Sequence, residues 1–234
     1  MEETSKPKLL VLGLNSSLAP GLVLQAKKIG YQVYGTSHRK DLAANQNFGE
    51  IEEIFSLQLK NWDQTEIELE GLSKHRFSRI ISLIGATWRS SNQSEYLAMS
   101  EYYQTLGLNL NLTHAATLKF LDADGTFVYV SSRAAVLGSF DEHYAAVKAA
   151  NTLYLLSLRN QIQNGQTILP IASSLIETSA MYKEMSIESQ VKHRERTGDQ
   201  LIQIQEVVEA LLKESYAESD PLMHNGIYYL GRDF

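Results

Sequence analysis

The residues of this chain best suited to chemistry are two adjacent serines, Ser131 and Ser132, a tyrosine, Tyr144, and a lysine, Lys148. Lys148 follows Tyr144 by one helical turn, so the two side chains share a helix face. A free phenol has a pKa of about 10 and moves protons poorly near neutrality. A neighbouring ammonium favours the phenolate and lowers that value. A serine hydroxyl beside the phenol can hold a carbonyl or alcohol oxygen. Together these groups suit the gain or loss of a proton on an oxygen while a hydride moves at the attached carbon. Tyr-x-x-x-Lys also arises by chance on amphipathic helices. The order strand, Ser-Ser, loop, Tyr-x-x-x-Lys is far more specific.

The elements that must position these groups lie in residues 127–151, FVYVSSRAAVLGSFDEHYAAVKAAN. This stretch reads as a buried strand ending in the serines, a short loop, and a helix that opens on Tyr144. His143 points about 100° away from Tyr144 on that helix and is left out of the set. Upstream, residues 8–14 (KLLVLGL) form an apolar run typical of a parallel strand covered on both faces. A turn of small residues, Gly13 to Ala19, leads to a helix over 20–29, and Gly30 ends it before a second strand at 32–36. Such a unit can receive a dinucleotide pyrophosphate at the helix N-terminus, with Asn15, Ser16, Ser17 and Leu18 in the turn. Ser17 and Ala19 occupy sites where glycine is usual, and a plain tight turn explains the segment equally well. After the second strand come Ser37, His38 and Arg39, with no carboxylate before Asp41. A basic residue there suits the 2′-phosphate of NADP rather than the ribose of NAD. A solvated basic turn is the competing reading.

Further on, residues 50–55 form a modest third strand, 63–74 an amphipathic surface helix, and 79–84 (RIISLI) a buried strand ending at Gly85. A long helix covers 94–121, its apolar face interrupted by Asn109 and Asn111. The strand before the serines starts at Gly125. Its following helix covers 144–160, and another strand covers 167–172. Residues 179–198 are the most polar part and read as a mobile flap over the substrate. A helix over 201–216 and a strand over 227–230 finish the chain. The alternation of strands and helices predicts one domain over 1–234, an α/β fold with a doubly wound parallel sheet in three layers. Ligands of such sheets bind beyond the carboxyl ends of the strands.

Composition bounds the partners. The 234 residues are 44% hydrophobic and 21% charged, enough for a sizeable core, and the net charge is −6. Nucleic acid and anionic membrane are thereby disfavoured as main partners. Cysteine is absent, which excludes disulfides and a cysteine nucleophile. The start, MEETSKPK, has no apolar signal core, and no apolar run nears the ~20 residues needed to span a bilayer. A soluble, cytoplasmic protein is expected. The six histidines lack a metal-ligand spacing, so no metal is expected, and there is no G-x-S-x-G nucleophile elbow.

With these residues in place, the chain resembles a short-chain dehydrogenase/reductase of the classical size class over nearly its whole length. Ser132, Tyr144 and Lys148 match that family's catalytic trio in order and approximate spacing, and SSRAA resembles its S-S-x-A-G. Asn109, or alternatively Asn111, matches the family's active-site asparagine. LGLNSSLA stands where the family has T-G-x-x-x-G-x-G, keeping Gly13. ISLIG, with Ile84 and Gly85, replaces N-N-A-G. Gln58, followed by Leu59, stands where an adenine-contacting Asp is common. ILPIASSLIETSAM is similar to V-N-x-x-x-P-G-x-I-x-T, with Ser173 and Ser174 for Pro-Gly and with Ile176 and Thr178 retained. VYGTSHR is similar to the second strand of NADPH-dependent ketoacyl carrier-protein reductases.

The resemblance implies hydride transfer between NADP(H), in preference to NAD(H), and a small carbonyl or alcohol substrate. Tyr144 is then the acid or base, Ser132 positions the substrate oxygen, and Lys148 lowers the phenol pKa and holds the nicotinamide ribose. Asn109 orients a relay water, and Thr178 contacts the cofactor near the nicotinamide. A homodimer or homotetramer is implied, joined partly through the helices after Ser94 and Tyr144. Trp88, Leu137 and Tyr182 are candidate pocket walls, with Met181 and Met185. Lys183, Lys192, His193, Arg194 and Arg196 meet an anionic group or form a solvated surface. The drifted glycine loop supports an alternative, a nucleotide-sensing or scaffold protein on the same fold. A third reading is epimerase- or dehydratase-type use of a bound nicotinamide, which the short chain disfavours.

Overall fold

The run KLLVL forms the central strand β1 (Lys8–Leu12). Its side chains alternate between two apolar layers: Leu9 and Val11 enter one, Leu10 and Leu12 the other. A strand covered on both faces needs apolar residues at consecutive positions, as this one has. The computed structural model describes residues 6–38, 48, 51–85, 95–138, 142–177, 179, 182–183, 186–197 and 201–231. After β1 come α1 (Ala19–Lys28), β2 (Gln32–Ser37), β3 (Glu53–Ser56), α2 (Trp62–Glu70), β4 (Phe77–Ser82), α3 (Glu95–Ala115) and β5 (Leu121–Ser132). Then follow α4 (Ala134–Leu137), α5 (Glu142–Leu158), β6 (Thr167–Ser173), α6 (Ile187–Thr197), α7 (Ile204–Leu212), β7 (Met223–His224) and β8 (Ile227–Leu230).

Among the described residues the strands form one eight-stranded sheet in the order β3-β2-β1-β4-β5-β6-β8-β7. It is parallel except for the β7/β8 pair. The chain winds outward from β1 to β3, then returns to β4 and winds the other way. The direction therefore switches between β1 and β4. Leu22 and Val23 of α1 and Val207 and Leu211 of α7 fill one layer with Leu9 and Val11. Leu69 of α2, Leu112 of α3 and Leu155 and Leu158 of α5 fill the other. This is the expected three-layer α/β architecture of Rossmann type. No helix among the described residues is long and apolar enough to cross a membrane.

Several boundaries differ from the expected ones for local reasons. The expected surface helix over 63–74 stops at Glu70 and tightens into a 3-10 turn, Gly71–Lys74. The long helix ends at Ala115 and passes through a π turn, Ala116–Phe120, that buries Phe120. β5 starts at Leu121 rather than Gly125, because Leu121 pairs with Phe77 of β4 before the register shifts to Thr126 opposite Arg79; Gln166 Nε2 also bonds the Asp122 carbonyl at 2.8 Å. The Asp-Ala-Asp-Gly stretch is the bulge between those two pairings, and it turns back so closely that a Cβ on Gly125 would lie 3.1 Å from Asp122 N. The polar stretch expected to be a flap contains helix α6, with a Lys192–Glu188 pair at 2.6 Å one turn apart. The β7/β8 hairpin was not expected. Its turn is Asn225-Gly226, with φ of 50° and 76°, the dipeptide a two-residue hairpin favours.

One close approach ties the sheet to the loop after β1. Leu14 is fully buried and its N–H bonds the Thr36 carbonyl at 2.8 Å. A Cβ on Gly35 of β2 would lie 2.6 Å from Leu14 Cγ. Gly35→Ala is expected to lower stability by about 2 kcal/mol in urea unfolding, by overpacking. An unchanged midpoint would mean that Leu14 repacks without strain.

Candidate functional site

Because β1, β2, β4, β5 and β6 are parallel, the segments after them emerge at one edge. Ser132 is the last residue of β5, and α5 returns Tyr144 and Lys148 beside it. Lys148 is 4% exposed. Its Nζ donates to the Val130 carbonyl at 2.7 Å and to the Ile84 carbonyl at 3.5 Å. It lies 5.9 Å from the Tyr144 ring centre and 4.8 Å from that of Tyr129. A Cβ on Gly85 would fall 2.8 Å from Nζ, so the ammonium needs the bare backbone there. The chain after β4 and the α5 helix thus meet at one cation.

The two serines separate by role. Ser131 is buried, and its hydroxyl shares a 2.7 Å hydrogen bond with Thr152, which donates to the Lys148 carbonyl at 2.8 Å. That hydroxyl ties β5 to α5. Ser132 is half-buried, and its Oγ accepts from the Ala134 N–H at 3.1 Å. Asn109 is buried and donates to the Thr105 carbonyl at 2.8 Å, whereas Asn111 is exposed. Thr113, one turn after Asn109, bonds Asn151 at 3.5 Å across to α5. Both helices run the same way from the sheet edge, so Asn109 is level with the turn that carries Val147 and Lys148.

The loop after β1 is built around Gly13, whose φ is +96° and whose N–H donates to Thr36 Oγ1 at 3.0 Å. Asn15 Oδ1 accepts from Ser37 Oγ at 3.1 Å and from the His38 N–H at 3.2 Å, which joins this loop to the end of β2. Asn15 Nδ2 is buried with no hydrogen-bond partner. Ser16 Oγ accepts from the Leu18 N–H at 3.3 Å, Ser17 is exposed, and Leu18 is packed in the core. α1 begins with no side-chain cap on its N-terminus. Gln58 Nε2 donates to the His38 carbonyl at 2.8 Å, and Leu59 has a φ of 51°.

Beyond β6, Ser174 Oγ accepts from Arg133 Nη1 at 2.9 Å, and Ile176 is buried in bridge contact with Ile202. Leu137 is exposed, whereas Tyr182 is buried and its hydroxyl accepts from Arg194 Nη2 at 2.6 Å. Arg39, Trp88, Thr178, Met181 and Met185 lie outside the described residues. Sequence reading passed over Tyr129, Arg133 and Thr36. Tyr129 and Arg133 lie on either side of the serine pair, where the sequence alone marks them as strand and loop. No His, Asp or Glu cluster among the described residues could hold a metal ion.

Burial pulls the Lys148 ammonium down from an ordinary 10.5 to about 7. The unfolded lysine keeps its proton up to about 10.5, the folded one only to about 7. Between those values unfolding takes up a proton, so stability rises with pH; below 7 the full penalty is present. The wild type is therefore expected to gain unfolding free energy relative to Lys148→Met as pH is raised from neutral to mildly alkaline. Parallel pH curves in chemical denaturation would show that Lys148 titrates alike in both states.

No protein-family model matches the sequence, and no curated protein matches it. Solved structures do resemble it. A short-chain type dehydrogenase/reductase from Mycobacterium ulcerans has a TM-score of 0.74 at 19% identity, with 96% of this chain and 87% of that chain covered. A glucose/ribitol-type short-chain dehydrogenase/reductase from Brucella melitensis gives 0.75 at 16% identity, covering 96% and 94%. BdcA in complex with NADPH gives 0.69 at 15% identity, covering 96% and 93%. With the strand order and layers described above, these likenesses show that the chain has the short-chain dehydrogenase/reductase fold.

Proposed function

We propose that this protein is an NADP(H)-dependent oxidoreductase of the short-chain dehydrogenase/reductase type, acting as a carbonyl reductase on a small molecule. The observation that carries this reading is the buried Lys148 ammonium beside Tyr144 at the end of the strand that delivers Ser132. A scaffold has no use for a desolvated cation next to a phenol, whereas proton transfer to an oxygen does. The structure of BdcA with NADPH, on the same fold, points to the same cofactor.

The loop after β1 fits a dinucleotide. Its backbone turns at Gly13, α1 starts uncapped, and Asn15 Nδ2 is buried without a partner. An anion there would meet the helix N-terminus. Asn15, Ser37, His38 and Arg39 would hold a 2′-phosphate, with Ser16, Ser17 and the Leu18 backbone on the pyrophosphate. Gln58 and Leu59 would border the adenine, Ile84 and Gly85 the ribose, and Ser174, Ile176 and Thr178 the nicotinamide end. Bound there, NADPH supplies a hydride to the carbonyl carbon. Ser132 Oγ donates a hydrogen bond to the carbonyl oxygen, and Tyr144 Oη gives that oxygen its proton. Lys148 stabilises the phenolate that remains, and Asn109 holds the water that reprotonates it. A homodimer or homotetramer through α3 and α5 belongs to this reading, with Tyr103 and Leu153 exposed on those helices at 62% and 64%.

The second reading, a nucleotide-sensing or scaffold protein, draws on the same loop. Ala19 is fully buried, and Pro20 leaves the first turn of α1 one N–H short. A side-by-side titration with NADPH and NADH separates the two. Tight NADPH binding supports the oxidoreductase, and no binding of either at millimolar concentration overturns it. Tyr144→Phe is expected to abolish carbonyl reduction while leaving NADPH affinity within about twofold, since the phenol oxygen carries the proton rather than the cofactor. Retained turnover would remove Tyr144 from the acid role. Arg39→Ala is expected to weaken NADPH by about tenfold or more, the loss of one charge-assisted contact, with little effect on NADH. Equal losses in both titrations would mean Arg39 does not read the 2′-phosphate.

A further inference from the structure

Lys148 is held in an unusual way for a buried cation. Among the described residues no carboxylate pairs with it. Two carbonyl oxygens, of Val130 and Ile84, accept from it. The backbone of Gly85 lies close by, where a Cβ would fall 2.8 Å from Nζ. Among the described residues two rings lie within cation–π range of Nζ: that of Tyr129 on β5 is the nearer at 4.8 Å, and that of Tyr144 lies at 5.9 Å. Tyr129 is 1% exposed. Its hydroxyl is buried without a hydrogen-bond partner, so no polar contact of the phenol explains its place. Burial pushes the Tyr129 phenol well up, and the nearby Tyr144 adds to this, which keeps Tyr129 neutral and its ring a steady π face. Among the described residues the titratable groups facing the ammonium are Tyr129 from β5 and Tyr144 from its own helix. Ile84 and Gly85 after β4 bring none.

We propose that Tyr129 is a positioning residue for the active site: its ring face fixes the Lys148 ammonium and keeps it charged beside Tyr144. The catalytic consequence rests on the oxidoreductase reading, while the physical contact does not. A lysine sealed between carbonyls and apolar side chains loses its proton easily. A neutral amine does nothing to stabilise a phenolate. The ring quadrupole offsets part of the lost hydration without a second ion, so a net positive charge remains to act on Tyr144. A carboxylate in its place would neutralise that charge.

The test is direct titration of Lys148 by NMR in protein labelled with ε-13C-lysine, the signal assigned by its loss in Lys148→Met. In Tyr129→Phe, which keeps the π face, the midpoint is expected to stay within about 0.3 pH unit of wild type. In Tyr129→Leu it is expected to fall by about one pH unit. Should the leucine variant fold poorly, pentafluorophenylalanine at position 129 keeps the ring shape and reverses the quadrupole, and the midpoint should fall again. An unchanged midpoint in either the leucine or the fluorinated protein overturns the inference. If carbonyl reduction is present, its alkaline limb should move with the lysine midpoint. A lysine midpoint that shifts as expected in a protein with no turnover in any form keeps the Tyr129 contact and overturns the oxidoreductase reading.

Discussion

The hydrogen bond from Lys148 Nζ to the Val130 carbonyl is the contact on which the site depends. It anchors α5 to the end of β5 from within, where water does not compete. An ammonium removed from water is costly unless its donors are satisfied. Here the satisfaction comes from backbone oxygens of two strand ends and from an aromatic face. The same cation therefore fixes the spacing between the β4 end, the β5 end and the helix that bears Tyr144. Ser131 and Thr152 add a second tie between β5 and α5, one turn further along.

The parallel sheet turns that local arrangement into a site. Each crossover returns the chain to the same edge, so loops far apart in sequence meet there. Gly13 and Ile84 illustrate the tightness: a Cβ on the glycine would lie 3.1 Å from Ile84 Cγ1, and the carbonyl of Ile84 faces Lys148. The loop after β1 and the lysine on α5 are joined through one residue after β4. The topological switch between β1 and β4 places the candidate cofactor loop on one side of that residue and the Ser-Tyr-Lys set on the other.

The loop after β1 keeps its shape with fewer glycines than its resemblance implies. Thr36 supplies a hydroxyl to the Gly13 N–H, and Asn15 bridges to Ser37 and His38. Side-chain hydrogen bonds to the end of β2 thus do part of what additional glycines would allow through backbone freedom.

By itself the sequence determined the α/β class, the central strands and the Ser-Tyr-Lys order. Strand runs such as KLLVL and RIISLI are apolar at consecutive positions because both sheet faces are covered, and that pattern is visible without coordinates. The helical spacing of Tyr144 and Lys148 is visible for the same reason, since a turn of helix is a fixed length. The tertiary structure decided what depended on partners distant in the chain. The pairing of Leu121 with Phe77 carries β5 back past Gly125 through a bulge, and Arg194 reaches Tyr182 from a helix in a stretch that reads as a flap. Packing gave Ser131 its bond to Thr152, a tie that two serines at the end of one strand do not reveal in sequence. Only packing placed Tyr129 under Lys148, since β5 and α5 meet across a loop whose course local propensity does not specify. The Asn225-Gly226 hairpin is the exception: its signal is in the sequence, in a dipeptide that readily takes positive φ at both positions.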